Sequence, residues 1–312
     1  VRKHLGVDDL RDVARAAFGA RGLVSVERLR GGTKKGVYRL GLADGTGGIA
    51  YVWHPDEDFW PKAAGDPGNP FGHTTGLELF ETAHARLSAV GVRAPRPLMR
   101  EPGGALGDVA VVEDVRGGTL EQLMARDPGR AESVLTRLGS AVRDMHAHTA
   151  DPAQHDAVEH AVLRRALTDL AEAAARVERI AVVRERLDDL LRTRHAAVAP
   201  RSRFGLIHHE LGPDHVLIAE DRDEPVLIDI EGTMFFDVEW EHAFLELRFG
   251  PHYHHFANPD LDPARLRLYR LANYLSLVAG PLRLLDGDFP HRAGMLAIVE
   301  DNIRRTLSQL PD

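Results

Sequence analysis

Two stretches of this 312-residue chain concentrate side chains suited to acid–base and metal chemistry. The first is Leu206-Ile-His-His-Glu-Leu-Gly-Pro-Asp-His-Val-Leu-Ile218. The second is Val226-Leu-Ile-Asp-Ile-Glu-Gly232. Each polar cluster is flanked by aliphatic and β-branched residues, the pattern of short buried strands. An Asp/Glu/Arg-rich turn, Glu220–Glu224, separates them. A hairpin would carry His208, Glu210, Asp214, His215, Asp229 and Glu231 to one end of a sheet. Carboxylates and imidazoles gathered in this way can hold a divalent cation and accept a proton. Gly212-Pro213 makes the intervening loop tight and defined.

These residues need a scaffold, and the hydrophobic pattern supplies one. Asp8–Phe18 carries apolar residues at helical spacing. Leu23–Leu29, Val37–Leu42 and Ile49–Trp53 alternate as strands do. Gly31–Gly36 and Ala43–Gly48 are the turns between them, so the three strands form a meander. Pro55–His73 is rich in Pro, Gly and aromatic residues and reads as an ordered loop. Gly76–Val90 is a helix, and Asp108–Val115 an apolar strand followed by Gly117-Gly118, a candidate hinge. Beyond Leu120 the pattern is mostly helical, with Glu132–His148, Ala157–His195, Glu239–Arg248, Pro263–Leu285 and His291–Leu310 as helical stretches. Strands first and helices second predict an α+β protein with a small β-sheet lobe and a larger helical lobe.

Order and spacing then point to a family. The arrangement resembles the aminoglycoside phosphotransferase-like kinases, a group that also takes in choline and fructosamine kinases. Their catalytic loop reads His-Gly-Asp-Leu-x-x-x-Asn, and a metal-binding Asp-Phe/Trp-Glu follows about a dozen residues later. Here the loop is His208-His209-Glu210-Leu211-Gly212-Pro213-Asp214-His215, and the second motif is Asp229-Ile230-Glu231. Phe236-Asp237-Val238-Glu239-Trp240-Glu241 is similar to the family's next element, and so are Val112–Leu120 and the Met145-His146 helix ending. The resemblance spans roughly residues 24–250. It implies a two-lobed, protein-kinase-like fold, with a nucleotide-binding lobe over 1–115 and a helical catalytic and substrate-binding lobe over 116–312.

The resemblance also implies roles. Glu210 stands where the family has its catalytic Asp, and can orient the acceptor hydroxyl; Asp214 is the alternative. His208 braces the loop. His215 stands at the metal-binding Asn, so Asp229 carries most of the Mg²⁺, with Asp214 or Glu231 assisting and His215 either a further ligand or a contact to a phosphate oxygen. Phosphoryl transfer rests mainly on positioning and charge stabilisation, so these exchanges leave it feasible. The turn Gly31-Gly32-Thr33-Lys34-Lys35-Gly36 takes the place of the loop over the phosphates of ATP (or GTP). The hinge backbone at Glu113–Val115 would hold the base. The usual strand-three lysine is missing, because Ile49–His54 contains none. Lys34 or Lys35 could reach the phosphates instead, and Glu81 is the candidate for the lysine's usual partner.

Charge and composition bound the partners. The net charge is −8, and residues 201–312 hold 11 Lys+Arg against 19 Asp+Glu. That excess argues against nucleic acid as a partner, which needs a basic face, and suits a small cationic acceptor. Asp151, Glu231, Asp237, Glu239, Glu241 and Glu246 are the carboxylates expected to meet it. An aminoglycoside or a basic cyclic peptide of the viomycin/capreomycin kind fits. Choline, homoserine or a sugar amine are the metabolic alternatives, and a non-catalytic nucleotide-binding protein is the rival from another class. No apolar run is long enough for a membrane span, and without an export signal a cytoplasmic location is expected. There is no cysteine, hence no disulfide or thiolate site. His208-His209-Glu210 looks like the start of a zinc-protease motif, but no further histidine follows at the required spacing and Pro213 disfavours the helix it needs. His252, His254 and His255 read as a polar loop or a substrate contact, with a metal cluster as the alternative.

Overall fold

A computed structural model describes residues 2–61, 71, 75–150, 158–219 and 222–311. In chain order it runs α1 (Arg11–Phe18), β1 (Leu23–Arg28), β2 (Gly36–Leu42), β3 (Gly47–Trp53), α2 (Leu77–Ala89), β4 (Pro97–Gly104), β5 (Gly107–Glu113), α3 (Leu120–Arg126) and α4 (Pro128–Ala147). There follow β6 (Thr149–Ala150), α5 (Val158–Arg176), α6 (Glu178–Ala181), α7 (Arg184–Ala196), β7 (Phe204–Ile207), β8 (Val216–Ala219) and β9 (Glu224–Leu227). The chain closes with β10 (Met234–Phe236), α8 (Val238–Phe249), α9 (Pro263–Leu284) and α10 (Arg292–Leu307). The fold is α+β, as the sequence predicts. The loop expected over Pro55–His73 falls largely outside the described residues; its described part holds a 3-10 turn at Pro55–Glu57.

The chain divides into two compact units. The first comprises Val1–Trp60, Thr74–Arg137 and Asp214–Gly232; the second comprises Pro61–His73, Leu138–Pro213 and Thr233–Asp312.

In the first unit the meander grows into a five-stranded antiparallel sheet of order β1-β2-β3-β5-β4. Side chains alternate across a strand, so Tyr38, Leu40 and Leu42 of β2 share one buried face. Val13, Ala14 and Phe18 of α1 pack onto it with Val109 and Val111 of β5. The hairpin β8–β9 belongs to the same unit, with Val216 opposite Leu227 and Ala219 opposite Glu224. The candidate hinge Gly117-Gly118 is bonded to this hairpin: Ile218 N–H donates to the Gly118 carbonyl at 3.0 Å. A Cβ on Gly117 would lie 1.9 Å from the Ile218 carbonyl oxygen, so only glycine fits.

In the second unit the helices present apolar stripes. Val162, Ala166, Leu170 and Ala173 recur along α5 at the spacing of one helix face. They join Leu187 and Leu191 of α7, Leu268, Leu271 and Leu275 of α9, and Val299 and Ile303 of α10. A small sheet of order β10-β7-β6 lies in the same unit. The expected hairpin into the second motif forms as β8 with β9, while β7, which precedes the first motif, belongs to the small sheet. β7 pairs with β10 and β6, whereas β8 pairs with β9.

Candidate active site

In the first unit, the β8–β9 hairpin presents the second motif. Ile228 N–H donates to the His215 carbonyl at 3.0 Å, which ties the residue before Asp229 to the start of β8. Asp229 then adopts a left-handed backbone conformation, φ 58°. A non-glycine residue there is costly and persists only where its surroundings enforce it. One enforcing contact is Lys35, whose ammonium donates to Asp229 Oδ1 at 2.7 Å. The same ammonium also donates to Glu231, through a very short bond. His215 Nε2 lies 3.9 Å from Asp229 Oδ2 and 4.0 Å from an Asp214 oxygen.

Lys35 is buried, and its ammonium sits 5.1 Å from the centre of the Tyr51 ring on β3. Burial works against the ammonium, but Asp229 and Glu231 outweigh it and hold the lysine protonated. Burial likewise raises Glu231, with Lys35 opposing. It raises the Tyr51 phenol as well. Asp229 differs from its neighbours, since 49% of its side chain is exposed. With one oxygen on Lys35, its other oxygen faces the His215 side. Asp229 Oδ2 and His215 Nε2 lie 3.9 Å apart, an oxygen and a nitrogen of the kinds that divalent cations accept as ligands.

The turn that carries Lys35 is fixed from several directions. A Cβ on Gly32 would come 2.4 Å from the Lys35 carbonyl oxygen, and one on Gly36 would come 2.6 Å from Glu57 Cδ. Gly31 has φ 111°, open to glycine. The Thr33 carbonyl accepts from Phe59 N–H at 2.8 Å, and its hydroxyl accepts from Trp60 Nε1 at 3.0 Å. Lys34 is turned elsewhere, its ammonium 5.8 Å from the Trp60 ring centre. Glu57 is a buried carboxylate that sequence reasoning did not single out. It accepts from Arg28 at 3.0 Å and from the Tyr38 hydroxyl. No periodicity or motif marks it. Glu81 pairs with Arg100 at 3.1 Å on the surface rather than with a lysine. At the hinge, Glu113 N–H is used by the Arg96 carbonyl and its carboxylate by Arg93.

The second unit holds the first motif. His208 N–H and His209 N–H donate to Glu241 Oε1 at 2.9 and 3.0 Å. His146 Nε2 meets Glu241 Oε2 at 2.9 Å. Burial penalises this carboxylate, but the His146 hydrogen bond and the nearby imidazoles and N–H groups hold it below the usual range. His209 has φ 87°, and its ring stacks on Phe71 at 4.9 Å; Phe71 in turn stacks on Trp240 at 4.6 Å. Leu211 and Pro213 are buried. A loop anchored on both sides thus presents Glu210, whose carboxylate is 60% exposed.

Four carboxylates expected to meet a cationic acceptor are used otherwise. Asp237 is fully buried and bonded to Arg265, Tyr269 and Arg201. Burial raises it, against the pull of Arg265. Glu239 accepts two bonds from Arg201, at 2.5 and 2.7 Å, and one from Asp262 N–H. Glu241 anchors the loop, and Glu231 holds Lys35. Each is buried, and a buried carboxylate demands a partner of its own; the protein supplies that partner from within. Glu246 pairs with Arg270. Asp151 lies outside the described residues.

A family model described as the phosphotransferase enzyme family matches residues 70–275. The chain belongs to this family. This phosphotransferase is a small-molecule kinase with an alcohol group as acceptor. A comparison with curated protein sequences finds no match. Among solved structures, a thermostable mutant of aminoglycoside phosphotransferase APH(4)-Ia is 16% identical, with a TM-score of 0.63 over 95% of this chain and 98% of that one. Another mutant of the same protein, in a ternary complex with ADP and hygromycin B, is 15% identical, with a TM-score of 0.60 over 95% and 98%. A fructosamine-3-kinase-like protein of Thermobifida fusca YX-ER1 is 20% identical, with a TM-score of 0.52 over 97% and 100%. At such identities the likeness is one of fold, and it matches the protein-kinase-like expectation. Among the described residues no helix of the phosphotransferase is long and apolar enough to cross a membrane.

Proposed function

We propose that this phosphotransferase moves the γ-phosphoryl group of ATP to a hydroxyl of a small cationic molecule, an antibiotic of the aminoglycoside or basic cyclic-peptide type. The observation that carries the reading is the cluster of Asp229, His215 and Lys35 at the base of the glycine-rich turn. An exposed metal-type carboxylate and a lysine beside a tight turn are what a bound triphosphate needs. Residues 1–115 would form the nucleotide lobe and 116–312 the catalytic and acceptor lobe. The backbone of Gly31–Gly36 would face the phosphates, and the hinge at Val115 the base. Asp229 would hold Mg²⁺, with His215 and Asp214 beside it; the cation would neutralise charge on the phosphates.

Glu210 orients the acceptor. Its carboxylate takes the hydroxyl proton as the acceptor oxygen bonds to the γ-phosphorus. The bond from that phosphorus to the bridging oxygen breaks, and the nucleoside diphosphate leaves. Glu241 and His208 hold the loop in the geometry this requires. Support for a cationic acceptor comes from the net charge of −8 and from the amines named in the solved relatives, an aminoglycoside phosphotransferase and a fructosamine kinase. The carboxylates at 231, 237, 239 and 241 no longer add to it.

The test is mass spectrometry of a panel of cationic antibiotics and metabolic amino alcohols incubated with enzyme, ATP and magnesium. One compound should gain a single phosphoryl group. ATP bound without turnover on any compound would favour a non-catalytic nucleotide-binding role.

A further inference from the structure

Lys35 presents a problem of physical chemistry. Three charged groups, one cation and two carboxylates, meet with the lysine and Glu231 buried. Such clusters rarely stabilise a fold better than apolar residues of the same volume. The backbone that carries the lysine is nonetheless closely fixed, by Gly32 against its own carbonyl, by Gly36 against Glu57, and by Thr33 to Phe59 and Trp60. Strand β3 contributes Tyr51, its ring centre 5.1 Å from the ammonium, and no lysine. On α2, Glu81 is turned to Arg100.

We propose that Lys35 is the phosphate-holding lysine of this enzyme, delivered by the glycine-rich turn, and that Glu231 is its positioning residue. The inference rests on the kinase reading above and adds the identity of both partners. An ammonium has three donors. Among the described residues two are used, one on Asp229 Oδ1 and one on Glu231. One remains. Asp229 is shared: one oxygen belongs to Lys35, and the other is on the side of His215. Asp229 would hold the cation through its second oxygen while Lys35, on its first, would be close enough to meet the phosphates that the cation neutralises. Glu231, fully inside, fixes the lysine whether or not Asp229 is engaged by metal. The Lys–Glu pair thus links the turn to the second motif, and neither member comes from β3 or α2.

The experiment compares wild type, Lys35→Met, Lys34→Met, Glu231→Gln and the double variant Lys35→Met/Glu231→Gln. ATP binding is measured by calorimetry with and without magnesium chloride, and thermal melting is followed in parallel. Lys35→Met should weaken ATP binding by about tenfold to a hundredfold, the loss of one charge-assisted phosphate contact. Glu231→Gln should raise the KM for ATP more than it lowers kcat. The double variant removes the unpaired buried charge, so it should recover melting temperature without recovering ATP affinity. A purely structural pair predicts that both recover together, and that result would overturn the proposal. So would a loss of affinity in Lys34→Met with Lys35→Met intact. If wild type itself binds no nucleotide, the kinase reading fails and this inference with it.

Discussion

Glu241→Gln tests the idea that a single buried carboxylate sets the catalytic loop. The side chain keeps its shape and loses its charge. In wild type it accepts two backbone N–H bonds and one contact from His146, at 2.9 to 3.0 Å. A charge-assisted bond contributes about 1.5–3 kcal/mol and a neutral one about 0.5–1.5. The difference is roughly 1 kcal/mol per bond, so about 3 kcal/mol over the three. The amide must also present its NH₂ to His146, which requires the other imidazole tautomer. Because the two N–H groups belong to His208 and His209, a shift there moves Glu210. A displacement of about 1 Å can cost about a hundredfold in rate. Denaturant unfolding should therefore show the stability loss, and turnover should fall while the KM for nucleotide holds. The pH dependence has a definite sign. The folded-state value of Glu241 is depressed, so its stabilisation is present above the ordinary value of about 4.3 and is lost as pH falls through the folded one. The gap between wild type and variant should close in acid. Unchanged unfolding and turnover, or a gap independent of pH, would refute the reasoning.

Asp229→Asn should abolish turnover and leave the melting profile cooperative; retained activity would move the metal elsewhere. Glu210→Gln should lower turnover by orders of magnitude with little change in calorimetric ATP affinity, and wild-type behaviour would shift the role to Asp214. His242 is pushed down to about 4 by burial and by the neighbouring His146. The unfolded chain then binds more protons between about pH 6.5 and 4, so stability should fall by roughly 3 kcal/mol as pH drops across that window. His242→Gln should flatten the melting temperature against pH over the same range, and an unchanged slope would count against the assignment.

The α+β class was readable because alternation and helical spacing report burial along the chain directly. The order of the motifs was readable too, since Asp229-Ile230-Glu231 follows Glu210 at a recognisable interval. Pairing was harder. A run of apolar residues marks β7 as a strand but does not name its partner, which is β10. Charge was hardest. Asp237 and Glu239 look like substrate ligands in a sequence, which shows a carboxylate but not whether it is buried. Their partners Arg201 and Arg265 lie 36 and 28 positions from Asp237. Lys35 stands 194 positions from Asp229. Nothing local signals such a meeting, and Glu57 carries no motif at all.

The chain has three tryptophans, and two of them sit where the chemistry is proposed to occur. Trp60 is bonded to Thr33 of the glycine-rich turn. Trp240 lies in the stack with Phe71 and His209, beside Glu210. Each unit therefore carries its own fluorophore. With Trp53 and one of the pair replaced, emission from the remaining indole would follow either the turn or the loop separately. Nucleotide and acceptor could then be titrated as two optical signals without any attached label.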